Sequence, residues 1–319
     1  MALSQVKKTI RNYAALSRIS NLPTCLSNLL LGAGLGVVLL QGESGWPDML
    51  GLFLAVAMIY IAGMAMNDIF DRKFDHHHSI TRPLVAGQIS LSNAIIYMLL
   101  LGLAGISILC VGYSILVGAA GIGLVLTITA YNYYHKKKKW AVWLMGACRS
   151  WVYLLGLLSS LPPKNIAGHL GLGSSLTMLI VVLFVVGIGL YTAGITLVAR
   201  LEHLPLGQNS SKKKYASYAM ICLGISSPLL GYAQGWPEDG LALTGLWSLT
   251  LLTGGWLWRA ARFAIAGGKQ TRHAVMTWLS GMALVDALAL MSLGLSTQSL
   301  ISVGCFVCVW LWHKTIAGT

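Results

Sequence analysis

The chain has 319 residues, of which 56% are hydrophobic and only 10% charged, and its mean hydropathy is +0.72. Nine acids against 22 lysines and arginines leave a formal charge of +13. That composition excludes a water-soluble globular domain. It also needs no nucleic-acid partner, because membrane topology and attraction to anionic headgroups account for the basic excess.

The first twenty residues carry Lys7, Lys8, Arg11 and Arg18 without an apolar core, so they read as an interfacial helix and not a cleavable signal. Apolar runs then predict spans at roughly 22–41, 49–66, 91–110, 114–134, 141–160, 173–198, 215–234, 241–258, 274–293 and a short one at 298–313. The expected fold is an all-α polytopic bundle of nine to ten transmembrane helices, forming a single integral-membrane unit over 1–319. Two cytoplasmic cap loops are expected at about 67–90 and 199–214, each four spans from the other, as in a duplicated four-helix unit. Nearly all Lys and Arg fall on one side of these spans, while Glu43, Asp48, Glu238 and Asp239 fall on the other. The positive-inside rule places the N-terminus and the first loop in the cytoplasm; the expected location is a bacterial inner membrane.

The first loop holds the main chemical signal. Asn67, Asp71 and Asp75 recur every four residues, which stacks them on one helix face, and Asp68 stands beside them. Acids gathered at a membrane surface are costly without a cation. Oxygen donors without a neighbouring Cys suit Mg²⁺, which shares its shell with water and phosphates. Arg82-Pro83 and Gly87 follow, adding a planar cation suited to phosphate. The stretch therefore reads as a site for Mg²⁺ and diphosphate. His76, His77 and His78 come directly after Asp75 and cannot all point one way on a helix. One of them contacts metal or diphosphate, or all belong to a solvated continuation of the motif.

Further along, Pro23, Asn28, Asn132, Arg149 and Asp286 are polar or helix-breaking residues inside spans. Each either faces an internal cavity or bonds another helix. Tyr131 and Lys136 close the fourth span, with Tyr133, Tyr134 and Lys137 to Lys139 as alternatives in register, and with a plain interfacial anchor as the bland reading. Cys305-x-x-Cys308 sits in an apolar run and reads as buried filler, not a zinc or redox pair. The 36 glycines form no phosphate-loop pattern.

The pattern Asn67-Asp68-x-x-Asp71-x-x-x-Asp75 with the trailing Arg82-Pro83 and Gly87, after the second span, resembles the first Asp-rich motif of the UbiA superfamily of intramembrane prenyltransferases. The resemblance implies a mostly nine-helix bundle, open laterally to lipid, with Mg²⁺ bridging two Asp motifs to an isoprenyl diphosphate. It implies Asn67, Asp71, Asp75 and Glu202 as metal-binding residues. Asp71, Asp75 and Arg82 would be catalytic. Asn28, Asp68, Arg82, Tyr131, Lys136, Arg149 and Arg200 would bind substrate. The partners are then a prenyl diphosphate, a hydrophobic acceptor and membrane lipids. The sequence departs from the family at the second motif, Tyr191 to Glu202, which contains no Asp and only Glu202 as an acid. Its Tyr-x-Ala-Gly-x-Thr and Ala-Arg-x-Glu pattern is similar to EboC-type UbiA-like proteins of bacterial metabolite-export or maturation clusters. Three functions are expected on these grounds: a Mg²⁺-dependent prenyltransferase, an altered member that binds prenyl diphosphate or lipid, and an unrelated transporter.

Overall fold

The structure is a computed structural model that describes residues 2–40, 46, 48–78, 82–162, 175–200, 210–226, 235 and 240–315. Among these, eleven α-helices and no strand occur. They are α1 (Ala2–Ser17), α2 (Leu22–Leu39), α3 (Met49–His78), α4 (Leu91–Gly112), α5 (Ile115–Tyr134), α6 (Val142–Ser159), α7 (Ser175–Arg200), α8 (Ser210–Ile225), α9 (Gly240–Ala266), α10 (Gln270–Ser292) and α11 (Ser296–Thr315).

Seven described helices, α2 to α7 and α10, are long and apolar enough to cross a membrane. The expected spans at α8, α9 and α11 also exist as helices. The apolar part of α8 is short, Tyr215–Gly224, and Thr, Ser, Gly and Trp dilute the leucines of α9 and α11. The main departure from expectation lies at 67–78, which is not loop. No Gly or Pro interrupts that stretch, so α3 continues through the acids to His78. The expected second cap loop is shorter on both sides, since α7 runs to Arg200 and α8 begins at Ser210.

Burial separates the helices. The apolar windows of α2 and α10 are 72% and 78% enclosed, against 17% for α4, so α2 and α10 form the centre and α4 faces lipid. Van der Waals fit between backbones, not hydrophobic exclusion, holds such helices together in lipid. The α2–α6 crossing shows it. A Cβ at Gly32 would overlap the Tyr153 carbonyl, and one at Gly156 would overlap the Leu29 carbonyl.

The turn after α3 is also built tightly. Gln88 and Ile89 donate backbone N–H groups to the Pro83 carbonyl at 2.9 and 3.3 Å. Gly87 takes φ +68°, a conformation that L side chains rarely adopt. Leu84 and Ile89 are thereby buried against Leu16, Ala65 and Ala94, which fixes Arg82 beside the end of α3.

Candidate functional site

Two of the acids predicted from the sequence, Asp68 and Asp71, stand with Asn67 near the end of α3, inside the protein. Asn67, Asp68 and Asp71 are 9%, 4% and 5% exposed. Two faces of α3 divide them. On the first, Asp68 Oδ1 accepts from Arg18 Nη2 at 3.3 Å and from Arg82 Nη1 at 3.0 Å. Arg18 precedes α2 in a left-handed backbone conformation, φ 44°, and also donates to Asn67 Oδ1 at 3.3 Å.

On the second face α3 runs beside α5. Asn67 Nδ2 donates to Asn132 Oδ1 at 3.0 Å, and Asn132 Nδ2 reaches the Gly63 carbonyl at 3.3 Å. One turn further on, His135 Nε2 lies 3.1 and 3.2 Å from the two oxygens of Asp71, and Lys136 Nζ lies 3.5 Å from Oδ2. Asp68 and Asp71 are therefore each met by two basic side chains. Lys136 also lies 3.9 Å over the Phe74 ring, and Tyr131 stacks on His135 with centroids 5.1 Å apart.

Behind this cluster lies an internal cavity of about 80 Å³. It runs between α2, α3, α5 and α6, from Tyr131 and Asn132 down to Cys25, Cys148 and Arg149. Gly63 and Ile128 form part of its wall. The same two residues border a wholly apolar groove of about 170 Å³ on the outer surface of α3, α4 and α5, where Leu99 and Leu103 are exposed.

At the inner end Arg149 Nη1 donates to Asn28 Oδ1 at 3.0 Å and to Cys25 Sγ at 3.4 Å. The other side of the Asn28 amide donates to Asp286 Oδ2 at 2.7 Å. Ser27 Oγ donates to the same oxygen at 2.6 Å, and Tyr153 donates its hydroxyl to Asp286 Oδ1. Asp286 is fully buried and lies beyond the cavity, tying α2, α6 and α10 together.

The structure thus brings Asn67, Asp68, Asp71, Arg82, Tyr131, Lys136 and, one layer deeper, Arg149 and Asn28 to one end of the bundle. Arg200 arrives differently. Its guanidinium donates to the carbonyls of Lys138 at 3.1 Å, Lys139 at 3.0 Å and His135, bracing the α5–α6 connection. Asp75 lies on α3, but its side chain is outside the described ones, as are those of His77, His78 and Lys212 to Lys214. Glu202 and His203 fall outside the described residues altogether, and His76 is exposed.

Two residues in direct contact with the acids were not singled out by sequence reasoning. Arg18 read only as a topological charge. His135 stands one place before Lys136, and its spacing from Asn132 was the available signal. Cys305 is buried, Cys308 is exposed, and both are free thiols.

Among the described residues no three of His, Cys, Asp and Glu converge as a metal cluster. Asn67 and Asp71 are oxygen donors one helical turn apart. That donor chemistry fits a Mg²⁺ ion whose shell is completed by water and substrate oxygens. Asp75 and Glu202, the other two residues expected to bind metal, have side chains outside the described ones.

These features define an integral-membrane helical protein in which charge-compensated acids stand beside a cavity between helices, joined to its lining through Asn67 and Asn132. The chain belongs to the UbiA prenyltransferase family, whose model matches residues 29–280. It is 33% identical over 178 residues to the mitochondrial 4-hydroxybenzoate polyprenyltransferase of Drosophila pseudoobscura pseudoobscura; the match covers 53% of this chain and 44% of that protein. The chain thus spans less than half the length of that relative. In fold it is similar to an apo UbiA homologue from Aeropyrum pernix K1, with a TM-score of 0.63 at 16% identity over 85% of this chain and 95% of that one. It is also similar to a UbiA homologue from Archaeoglobus fulgidus bound to DMAPP and Mg²⁺, with a TM-score of 0.50 at 14% identity, covering 94% and 98%.

Proposed function

We propose that this protein transfers an isoprenyl group from a prenyl diphosphate to a hydrophobic acceptor at the membrane surface. The observation that carries the reading is the pairing of two buried acids of α3 with two basic groups each, beside the cavity that Asn132 lines: Asp68 with Arg18 and Arg82, Asp71 with His135 and Lys136. Such groups have a second use. When a divalent cation takes over the acids, Arg18, Arg82 and Lys136 are released to hold phosphate oxygens, to which guanidinium and ammonium groups are suited.

Asn67 and Asp71, with Asp75 beside them on α3, would hold the Mg²⁺ that the Archaeoglobus homologue contains. When bound, Mg²⁺ would supply positive charge against the departing diphosphate. The basic groups of the chain stabilise the same charge as the allylic C–O bond breaks. The acceptor then forms the new bond to the allylic carbon and loses a proton. The cavity wall keeps water away from that carbon, and the groove beyond Gly63 and Ile128 offers an apolar path for a chain longer than the cavity. Tyr131 and Arg149 bound the space between. Asn28 acts through Arg149, and Arg200 acts through the carbonyls that position His135. The basic end of the bundle faces the cytoplasm on the positive-inside rule.

A second reading has its own support. The segment 191–200 of α7 contains no acid, and Arg200 is engaged with backbone carbonyls. The protein would then bind prenyl diphosphate or a related lipid without turning it over, as part of metabolite assembly or export. The deciding experiment measures Mg²⁺-dependent pyrophosphate release from geranylgeranyl diphosphate by detergent-purified protein, with and without lipid extract, beside Asp71→Ala. Release that needs both Mg²⁺ and Asp71 is expected. Saturable Mg²⁺-dependent binding without release would favour the second reading, and neither would remove both.

A further inference from the structure

The end of α9 carries charge that the α3–α5 cluster does not use. From Gly240 to Val285 the sequence contains no acid, yet Arg259, Arg262, Lys269 and Arg272 follow one another there. Arg259 and Arg262 are three residues apart and share a helix face. With Trp258, Phe263 and Gln270 they border a cleft of about 580 Å³. The Arg259 guanidinium lies 5.6 Å from the ring centroids of both Trp256 and Phe263. Those rings hold the planar cation along the wall while its N–H edge remains available to an oxygen ligand. Among the described residues, neither Arg259 nor Arg262 meets a carboxylate.

Depth in the membrane decides what kind of anion fits. At about 1.5 Å per residue, Arg259 lies about 29 Å along α9 from Gly240, close to the thickness of a hydrocarbon core, about 30 Å. α9 packs along α10, a helix long and apolar enough to cross a membrane, and the cleft stands beside the Gln270 end of that span, at the level of lipid headgroup phosphates. Below it, Leu251 and Leu252 are 77% and 45% exposed. They stand seven residues before Trp258 and Arg259, so two apolar stripes descend directly from the cleft. A cation pair above an apolar stripe complements a ligand with an anionic head and hydrocarbon chains.

We propose that this cleft is a binding site for an anionic glycerophospholipid, with its phosphate on Arg259 and Arg262 and its acyl chains along Leu251 and Leu252. Basic recesses beside transmembrane helices recognise such headgroups electrostatically. The site is separate from the α3–α5 cluster and does not depend on prenyl transfer.

The test uses the full-length protein in dodecyl maltoside. Thermal unfolding is followed while dioleoylphosphatidylglycerol, dioleoylphosphatidylcholine or inorganic phosphate is added, and bound lipid is counted by native mass spectrometry. Phosphatidylglycerol is expected to raise the melting temperature and to remain bound, whereas the other two do neither. The exposed pair Arg259→Gln and Arg262→Gln should unfold like the native protein without lipid and should bind phosphatidylglycerol about 30-fold more weakly, from about 1 kcal/mol per basic residue near the surface. The pair Lys7→Gln and Lys8→Gln on α1, with the same change in charge, should stay within about twofold of native. An equal loss in both pairs would mean diffuse surface attraction and would overturn the site. Equal protection by phosphate would make it a free-phosphate site, and equal retention of phosphatidylcholine would remove the charge argument; either result overturns the proposal.

Discussion

Replacing Asp286 with Ala tests the polar pin at the centre of the bundle. The carboxylate accepts from Ser27, Asn28 and Tyr153, so the substitution removes three hydrogen bonds to α2 and α6 at once, with Ser27 alone keeping a second acceptor in the Thr24 carbonyl. Hydrogen bonds between membrane helices average about 0.6 kcal/mol and reach about 1.7 kcal/mol. The expected loss is therefore about 2–5 kcal/mol. Tyr153→Phe removes one donor and leaves the carboxylate two others, so about 0.6–1.7 kcal/mol is expected. The difference matters because Asn28 also holds Arg149 at the inner end of the cavity. Unfolding in mixed micelles titrated with sodium dodecyl sulfate measures both variants against the native protein. If Asp286→Ala costs no more than Tyr153→Phe, Asp286 is not the common partner of the three donors, and the account of how α10 positions Arg149 is wrong.

Lys136→Met should barely alter stability, because Lys136 is 41% exposed and surface pairs contribute about 0–1 kcal/mol. It should weaken Mg²⁺-dependent binding of geranylgeranyl diphosphate about tenfold, the loss of one charge-assisted contact, and radioligand binding would report it; unchanged binding would remove Lys136 from the site. Ile128→Trp fills the wall shared by the cavity and the outer groove. Affinity for geranylgeranyl diphosphate should fall while that for dimethylallyl diphosphate holds, and an equal effect on both would exclude the α3–α4–α5 groove as the path of the chain. Gly32→Val drives a side chain against the Tyr153 carbonyl and should lower stability by about 1–3 kcal/mol through overpacking. A melting temperature equal to native would show that α2 and α6 separate without cost.

Much of this architecture was legible in the chain because the bilayer sets the length of its elements. A helix that crosses about 30 Å of hydrocarbon needs about twenty apolar residues, so runs such as 91–110 and 114–134 marked α4 and α5 closely. The four-residue spacing of Asn67, Asp71 and Asp75 likewise marked a helix face, and the helix indeed carries on through them. Their basic partners were less visible. Arg18 lies 50 residues from Asp68, and His135 lies 64 from Asp71. Periodicity relates neighbours on one helix and carries no information across such separations.

Local pattern, then, was enough for the helices, the membrane setting and the acid-bearing face, since each follows from the spacing of side chains along one element. Only the packed bundle decided which basic group meets which acid, that Asn28 and Asp286 serve one polar pin behind Arg149, and that Arg200 turns to backbone carbonyls. Those pairings depend on how close two helices come, and that distance is set by contacts such as Gly32 against Tyr153 and Gly156 against Leu29, where the absence of a side chain lets one backbone reach another.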